Sequence, residues 1–194
     1  MGGYVMEEER ESLVRLLDLD DEFIIDLKYA TEDNFVKERV YKANECYIHK
    51  NTATLLLKAK DIFKKDGYRV KIWDAYRPIS AQRRLFEIIP IDDLVETPPD
   101  MSKEVILRPS HMNGLSVDLT LVDKNGNEIE MPTKFDDFSE MASLSCTKVS
   151  EKTRKNAEYL RTVMEYVGFK SYINEWWHFN DGITPPPLYS DIIF

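Results

Sequence analysis

Residues 110–123 read Ser-His-Met-Asn-Gly-Leu-Ser-Val-Asp-Leu-Thr-Leu-Val-Asp. From Leu115 onward apolar and polar residues alternate, the period of a β-strand with one face on a core. Asn125-Gly126-Asn127 follows and predicts a hairpin turn into residues 128–131. Working outward, YRVKIWDAY (68–76) alternates Val70 and Ile72 with basic residues and predicts a second strand with one buried face. The mixed apolar stretch FIIDLKYAT (23–31) predicts another, and residues 169–173 and 176–180 predict two short ones.

Between the strands lie helical patterns. Residues 45–66 place Leu55, Leu56, Ala59, Ile62 and Phe63 at helical spacing, with Gly67 as the stop. Pro78 suits the first turn of a helix over 78–89. Over 151–167, Ala157, Leu160, Val163, Met164 and Val167 form one apolar stripe ending at Gly168. Residues 6–19 predict a short N-terminal helix crowded by glutamates. Residues 97–110 read as a Pro-rich surface loop, and TPPPLYSDIIF (184–194) as an extended tail. With no βαβ rhythm, the expected class is α+β, a mostly antiparallel sheet flanked by helices in a single domain.

A chain of 194 residues suits one domain, and 43% hydrophobic with 31% charged residues is a globular balance that argues against global disorder. The 35 acidic residues outnumber the 26 basic ones, for a net charge of -9, which disfavours nucleic acid and anionic membrane as partners. No apolar run approaches the roughly 20 residues of a membrane span. Cys46 and Cys146 are too few and too far apart for a disulfide scaffold. The acidic N-terminus lacks the pattern of a secretory signal, so a reducing cytoplasm is the expected compartment.

The chain has three histidines. His49 stands among Lys50, Asn51 and Thr52, where a solvated role suffices. His111 lies seven residues before Asp118, and His178 three residues after Glu175. Hydrolytic zinc sites take three protein ligands from His, Asp or Glu and leave one position for water; His111, Asp118 and His178 can supply such a set. Asp118 interrupts an otherwise apolar strand, where a carboxylate is costly unless it is paired, hydrogen-bonded or bound to metal. Gly114 lets the backbone turn between His111 and that strand. Glu175 is near enough to His178 to act as a general base on a water. Arg77, at the strand-to-helix corner Tyr76-Arg77-Pro78, can steady an oxyanion. Taken singly, each has a plainer reading: Asp118 facing water, Glu175 as a surface acid, His178 as a core histidine, Arg77 paired with Asp74.

Taken together, the segments DLKYATEDNF (26–35), WDAYRP (73–78), SH–NG–SVDLT (110–120), FDDF (135–138) and EWWHF (175–179) occur in the order and at about the spacing seen in zinc-dependent D-alanyl-D-alanine dipeptidases. From about residue 20 to 190 the chain resembles that family, the VanX type, within the peptidoglycan D,D-peptidases. The resemblance implies a domain over residues 21–194 behind an N-terminal extension of residues 1–20. It implies one zinc ion on His111, Asp118 and His178, with Glu175 as catalytic base and Arg77 polarising the scissile carbonyl. It further implies that Asp136 receives the substrate ammonium, that Tyr29 walls the pocket, and that Ser110 matches a serine before the first zinc histidine. The implied substrate is the small dipeptide D-Ala-D-Ala, in glycopeptide resistance or in D-alanine salvage.

The chain departs from the family at Pro109, where a second serine often helps bind the substrate carboxylate, and at Met112-Asn113, where Ser-Arg is typical. Proline has neither hydroxyl nor N–H, so that contact must come from elsewhere. A D,D-carboxypeptidase acting on longer peptides would share every zinc residue, and related zinc folds serve as binding modules without hydrolysis.

Overall fold

The structure is a computed structural model, and it describes residues 10–92 and 94–194. Its strands are β1 (Leu13–Arg15), β2 (Ile24–Ile25), β3 (Tyr47–His49), β4 (Arg69–Asp74), β5 (Ser116–Val122), β6 (Phe169–Tyr172) and β7 (Glu175–Asp181). Its α-helices are α1 (Leu16–Leu19), α2 (Lys50–Lys65), α3 (Ile79–Ile88) and α4 (Glu151–Val167). The main sheet has the order β2-β4-β5-β7-β6; β2 runs parallel to β4 and the other pairs are antiparallel. β1 and β3 form a separate antiparallel pair. The expected α+β class with a mostly antiparallel sheet is what the chain adopts.

β5 occupies the centre of the sheet, and all seven of its residues are buried. Val117, Leu119 and Leu121 join Leu56, Ala59 and Phe63 of α2 and Leu160 and Met164 of α4 in one core. Ser116, Asp118 and Thr120 alternate with them and so point to the opposite face. The alternation in the sequence is real, but its polar side meets a cavity rim and a second layer of chain, not bulk water.

Of the predicted helices, α4 matches residues 151–167. Ser150 Oγ accepts a hydrogen bond from the Thr153 amide at 3.1 Å, and Gly168 closes the helix at φ 116°. α2 begins at Lys50, not 45, because residues 47–49 extend to pair with β1. His49 caps it: Nδ1 accepts from the Asn51 amide at 3.3 Å, and the residue is 6% exposed. The solvated role expected of His49 is therefore wrong; a side chain that caps a helix inside the fold has left water.

In residues 23–31 only Ile24–Ile25 is strand; the chain then turns into a 3-10 helix at Lys28–Ala30, which seats Tyr29 and Ala30 in the core. The helix expected over 6–19 falls partly outside the described residues; within them, Leu13–Arg15 is strand and Leu16–Leu19 a single helical turn. After Gly126 (φ 89°) the chain does turn back, but only one bridge, Val122 to Glu128, forms. The tail is extended as expected and tied down, with Ser190 accepting from the Ile79 amide and donating to Met112 through backbone bonds of 3.0 and 2.9 Å.

Candidate metal centre and cavity

Strand register builds the centre. β5 and β7 pair so that Asp118 stands opposite His178 and Ser116 opposite Asn180, while β4 sets Asp74 opposite Asp118. Residues opposite each other in an antiparallel pair share a face, so one row of the sheet carries two carboxylates and an imidazole. His111 arrives from the 3-10 turn His111–Asn113 just before β5. That turn is closed on both sides: Ser110 Oγ accepts from the Met112 amide, and Asn113 Oδ1 accepts from the Ser110 amide at 3.0 Å. Gly114, at φ 69°, then redirects the chain into the strand.

His111 Nδ1–H donates to the Ala75 carbonyl at 2.7 Å. A carbonyl only accepts, so the proton belongs on Nδ1 and the Nε2 lone pair faces inward. His178 Nε2–H donates to Asn180 Oδ1 at 3.2 Å, an oxygen that also accepts from Ser116 Oγ at 2.5 Å, and this leaves Nδ1 inward. Inward lie His111 Nε2 and His178 Nδ1, 3.3 Å apart, with Asp118 oxygens 3.3 and 2.9 Å from them. One ligand atom from each of the three residues lies within 4.8 Å of the other two. Two lone pairs and a carboxylate facing each other at this range repel unless a cation sits among them. A proton on His178 is one such cation. Burial pulls the His178 pKa down, but Asp118 outweighs that and lifts it to about 9. Burial likewise pushes Asp118 up, and the two histidines hold it well below the usual carboxylate range. A metal ion is the other. Two imidazoles and a carboxylate, each oriented by an outer hydrogen bond or strand pairing, fit a zinc ion with one position left for solvent.

Glu175 begins β7, three residues before His178, with its Oε2 3.9 Å from His178 Nδ1. Its carboxyl is partly buried, and burial raises its pKa although His178 opposes the shift. A carboxylate tuned upward is suited to taking and returning a proton near neutral pH.

Arg77 lies just past β4 and is 8% exposed. Its Nε and Nη2 donate to Asp74 Oδ2 at 3.0 and 2.5 Å, and Nη1 donates to Gln82 Oε1 at 2.7 Å. Asp74 is fully buried and also accepts from Tyr41 at 2.5 Å. The guanidinium stacks over the Tyr29 ring, 4.9 Å from its centroid. The plainer reading of Arg77, a pair with Asp74, is thus realised, yet the pair holds the guanidinium on the wall of the same cavity as the metal cluster. Tyr29 in turn donates its hydroxyl to Asp136 Oδ2 at 3.0 Å. Asp136 sits in the left-handed region at φ 55°, and burial, reinforced by Asp118, lifts its pKa well above the ordinary value.

The cavity has a volume of about 420 Å³, and all eight residues singled out from the sequence line it: Tyr29, Arg77, Ser110, His111, Asp118, Asp136, Glu175 and His178. Of the supporting residues, Asp74 was named only as a pair for Arg77, and Gln82, Glu96 and Asn180 were not singled out. Asn180 was findable, because it lies two residues past His178 on one strand and so on the same face. Asp74 carried the same signal as Asp118, a carboxylate within an apolar strand. Gln82 and Glu96 reach the site through a helix and a loop, and nothing local marks them.

A mixed sheet carrying a His-Asp-His cluster that could hold a metal ion, with a carboxylate beside it, suits a hydrolase of the metallopeptidase kind. The chain belongs to the D-ala-D-ala dipeptidase family, whose pattern residues 9–194 match. It is 34% identical over 155 residues to a D-alanyl-D-alanine dipeptidase of Escherichia coli (strain K12), covering 80% of this chain and 77% of the relative. It is 32% identical over 168 residues to one from Enterococcus faecium (79% and 83% covered) and 30% over 176 residues to one from Streptomyces coelicolor (84% and 87%). Among the described residues no helix is long and apolar enough to cross a membrane.

Proposed function

We propose that the chain is a zinc-dependent dipeptidase that hydrolyses D-Ala-D-Ala to D-alanine. The observation that carries this reading is the inward-facing His111, Asp118 and His178 set with Glu175 beside it in one cavity. When bound there, zinc supplies Lewis acidity, which brings the pKa of a water from about 15.7 toward about 7. Glu175 takes a proton from the attacking water and gives one to the leaving amine. Arg77, pinned by Asp74 and Gln82, meets the charge that develops on the scissile carbonyl oxygen without having to reorganise. Asp136, presented by Tyr29, receives the free ammonium of the dipeptide, whose charge draws off the proton that burial holds on this carboxyl before the substrate binds, and a requirement for that ammonium selects dipeptides over longer chains. Two free cysteines, Cys46 and Cys146, suit a reducing cytoplasm as the site of this activity.

The test is an assay of zinc-loaded protein on D-Ala-D-Ala, L-Ala-L-Ala and N-acetyl-D-Ala-D-Ala. Cleavage of the first alone is expected. Equal cleavage of the acetylated form would make the chain a carboxypeptidase, and cleavage of none would make it a binding module.

A further inference from the structure

Under the dipeptidase reading the substrate is a zwitterion, so the cavity must offer its terminal carboxylate hydrogen-bond donors, and a cation is the strongest of these. Five acids line the cavity (Asp92, Glu96, Asp118, Asp136, Glu175), against two arginines, Arg77 and Arg108. Arg77, pinned by Asp74 and Gln82, is already assigned to the scissile carbonyl oxygen in the proposed reaction. Pro109, between Arg108 and Ser110, has no side-chain or backbone donor. The Ser110 hydroxyl donates to Glu96 Oε2 at 3.1 Å, so its proton is already placed.

Arg108 is placed differently. Its backbone is clamped, with its N–H on the Tyr189 hydroxyl at 3.2 Å and its carbonyl on Asn113 Nδ2 at 2.9 Å. Pro109 fixes the next φ angle. The guanidinium side chain is 66% exposed, and its Nε and Nη2 meet Glu96 Oε1 at 3.0 and 2.7 Å. Among the described residues its Nη1 edge has no acceptor. Glu96 also joins Arg108 to Ser110, the residue before His111, and Arg108 lines the same cavity as the metal cluster. We infer that Arg108 receives the substrate's terminal carboxylate and is a specificity residue of this cavity, with Glu96 as the positioning residue that aims it. A guanidinium edge matches a carboxylate in geometry as well as charge, and it can bridge Glu96 and the substrate without breaking the existing pair.

The test compares D-Ala-D-Ala with its C-terminal amide on the full, zinc-loaded chain. Arg108→Met should lower the acid-to-amide ratio of kcat/KM by about 10- to 100-fold, through KM, and Arg108→Lys should restore part of it. Glu96→Gln should lower the same ratio less. An unchanged ratio in Arg108→Met overturns the inference, as does equal loss on both substrates, which would mark a merely structural residue. Calorimetric binding of D-Ala-D-Ala to the Glu175→Gln protein, with and without Arg108→Met, reads the same contact without turnover: weaker binding supports it, and equal binding overturns it. Failure of the wild-type chain to cleave either dipeptide would sink the dipeptidase reading, while the binding comparison would still decide the role of Arg108.

Discussion

Asp136 shows how one residue trades stability for binding. Its carboxyl is lifted well above the ordinary value, so the folded chain holds a proton that the unfolded chain releases near pH 4. Stability from this group is therefore greatest below that pH and falls as pH rises toward the folded pKa. Asp136→Asn removes the titration, tolerates φ 55°, and can still accept from Tyr29. The variant should melt higher than wild type at pH 8, by more than it does at pH 4, and show a raised KM for D-Ala-D-Ala. A gain that does not depend on pH would show that Asp136 is not held protonated. For Glu175 the reading is turnover. Glu175→Gln should keep its zinc and its fold but lose about 10²- to 10⁴-fold in kcat, and near-normal turnover would remove it from the base role.

At the scale of elements, the cluster depends on how β5 is entered and how it pairs. A one-residue slip of β7 against β5 would turn His178 onto the helix side of the sheet, where Phe179 now packs, and part it from Asp118, which β4 holds in place. The entry turn is held by Gly114, whose left-handed φ suits glycine. A Cβ there would stand 2.8 Å from the His49 backbone nitrogen and from Leu13 Cδ2, and backbone cannot yield as a side-chain tip can. Gly114→Ala should therefore lower the unfolding free energy read from a urea titration by about 1–3 kcal/mol for the strained φ alone. It should weaken zinc binding too, because His111 sits in the same turn. Unchanged values for both would mean the turn does not govern the site.

The parts of this element-level picture that were legible are those with local causes. The α4 stripe and its Gly168 stop, and the alternation of β5, are written in consecutive residues. The start of α2 was not, because residues 47–49 are strand only by virtue of β1, more than thirty positions earlier. Residues 23–31 failed similarly: their apolar content serves a 3-10 turn that buries Tyr29, and composition does not separate burial in a turn from burial in a strand.

Across the whole molecule, the cavity joins the 3-10 turn of Tyr29, the corner after β4, the loop carrying Glu96 and Arg108, the Asp136 loop and the start of β7. The three candidate ligands were legible because metal chemistry restricts residue type and the family motifs recur in order. Asp74 was legible as a pair for Arg77, three residues on, but Glu96 was not, since it meets Arg108 and Ser110 across a loop. The acidic balance of the chain is partly spent inside this cavity, where five carboxylates face two guanidiniums and the cluster calls for a cation.

That call for a cation is most directly read by metal analysis after zinc loading and exhaustive desalting, on wild type and His178→Ala side by side. One zinc per wild-type chain and almost none in a folded His178→Ala is the result expected. Full zinc retention by the variant, or none in the wild type, would contradict the three-residue site from which the hydrolytic reading is built.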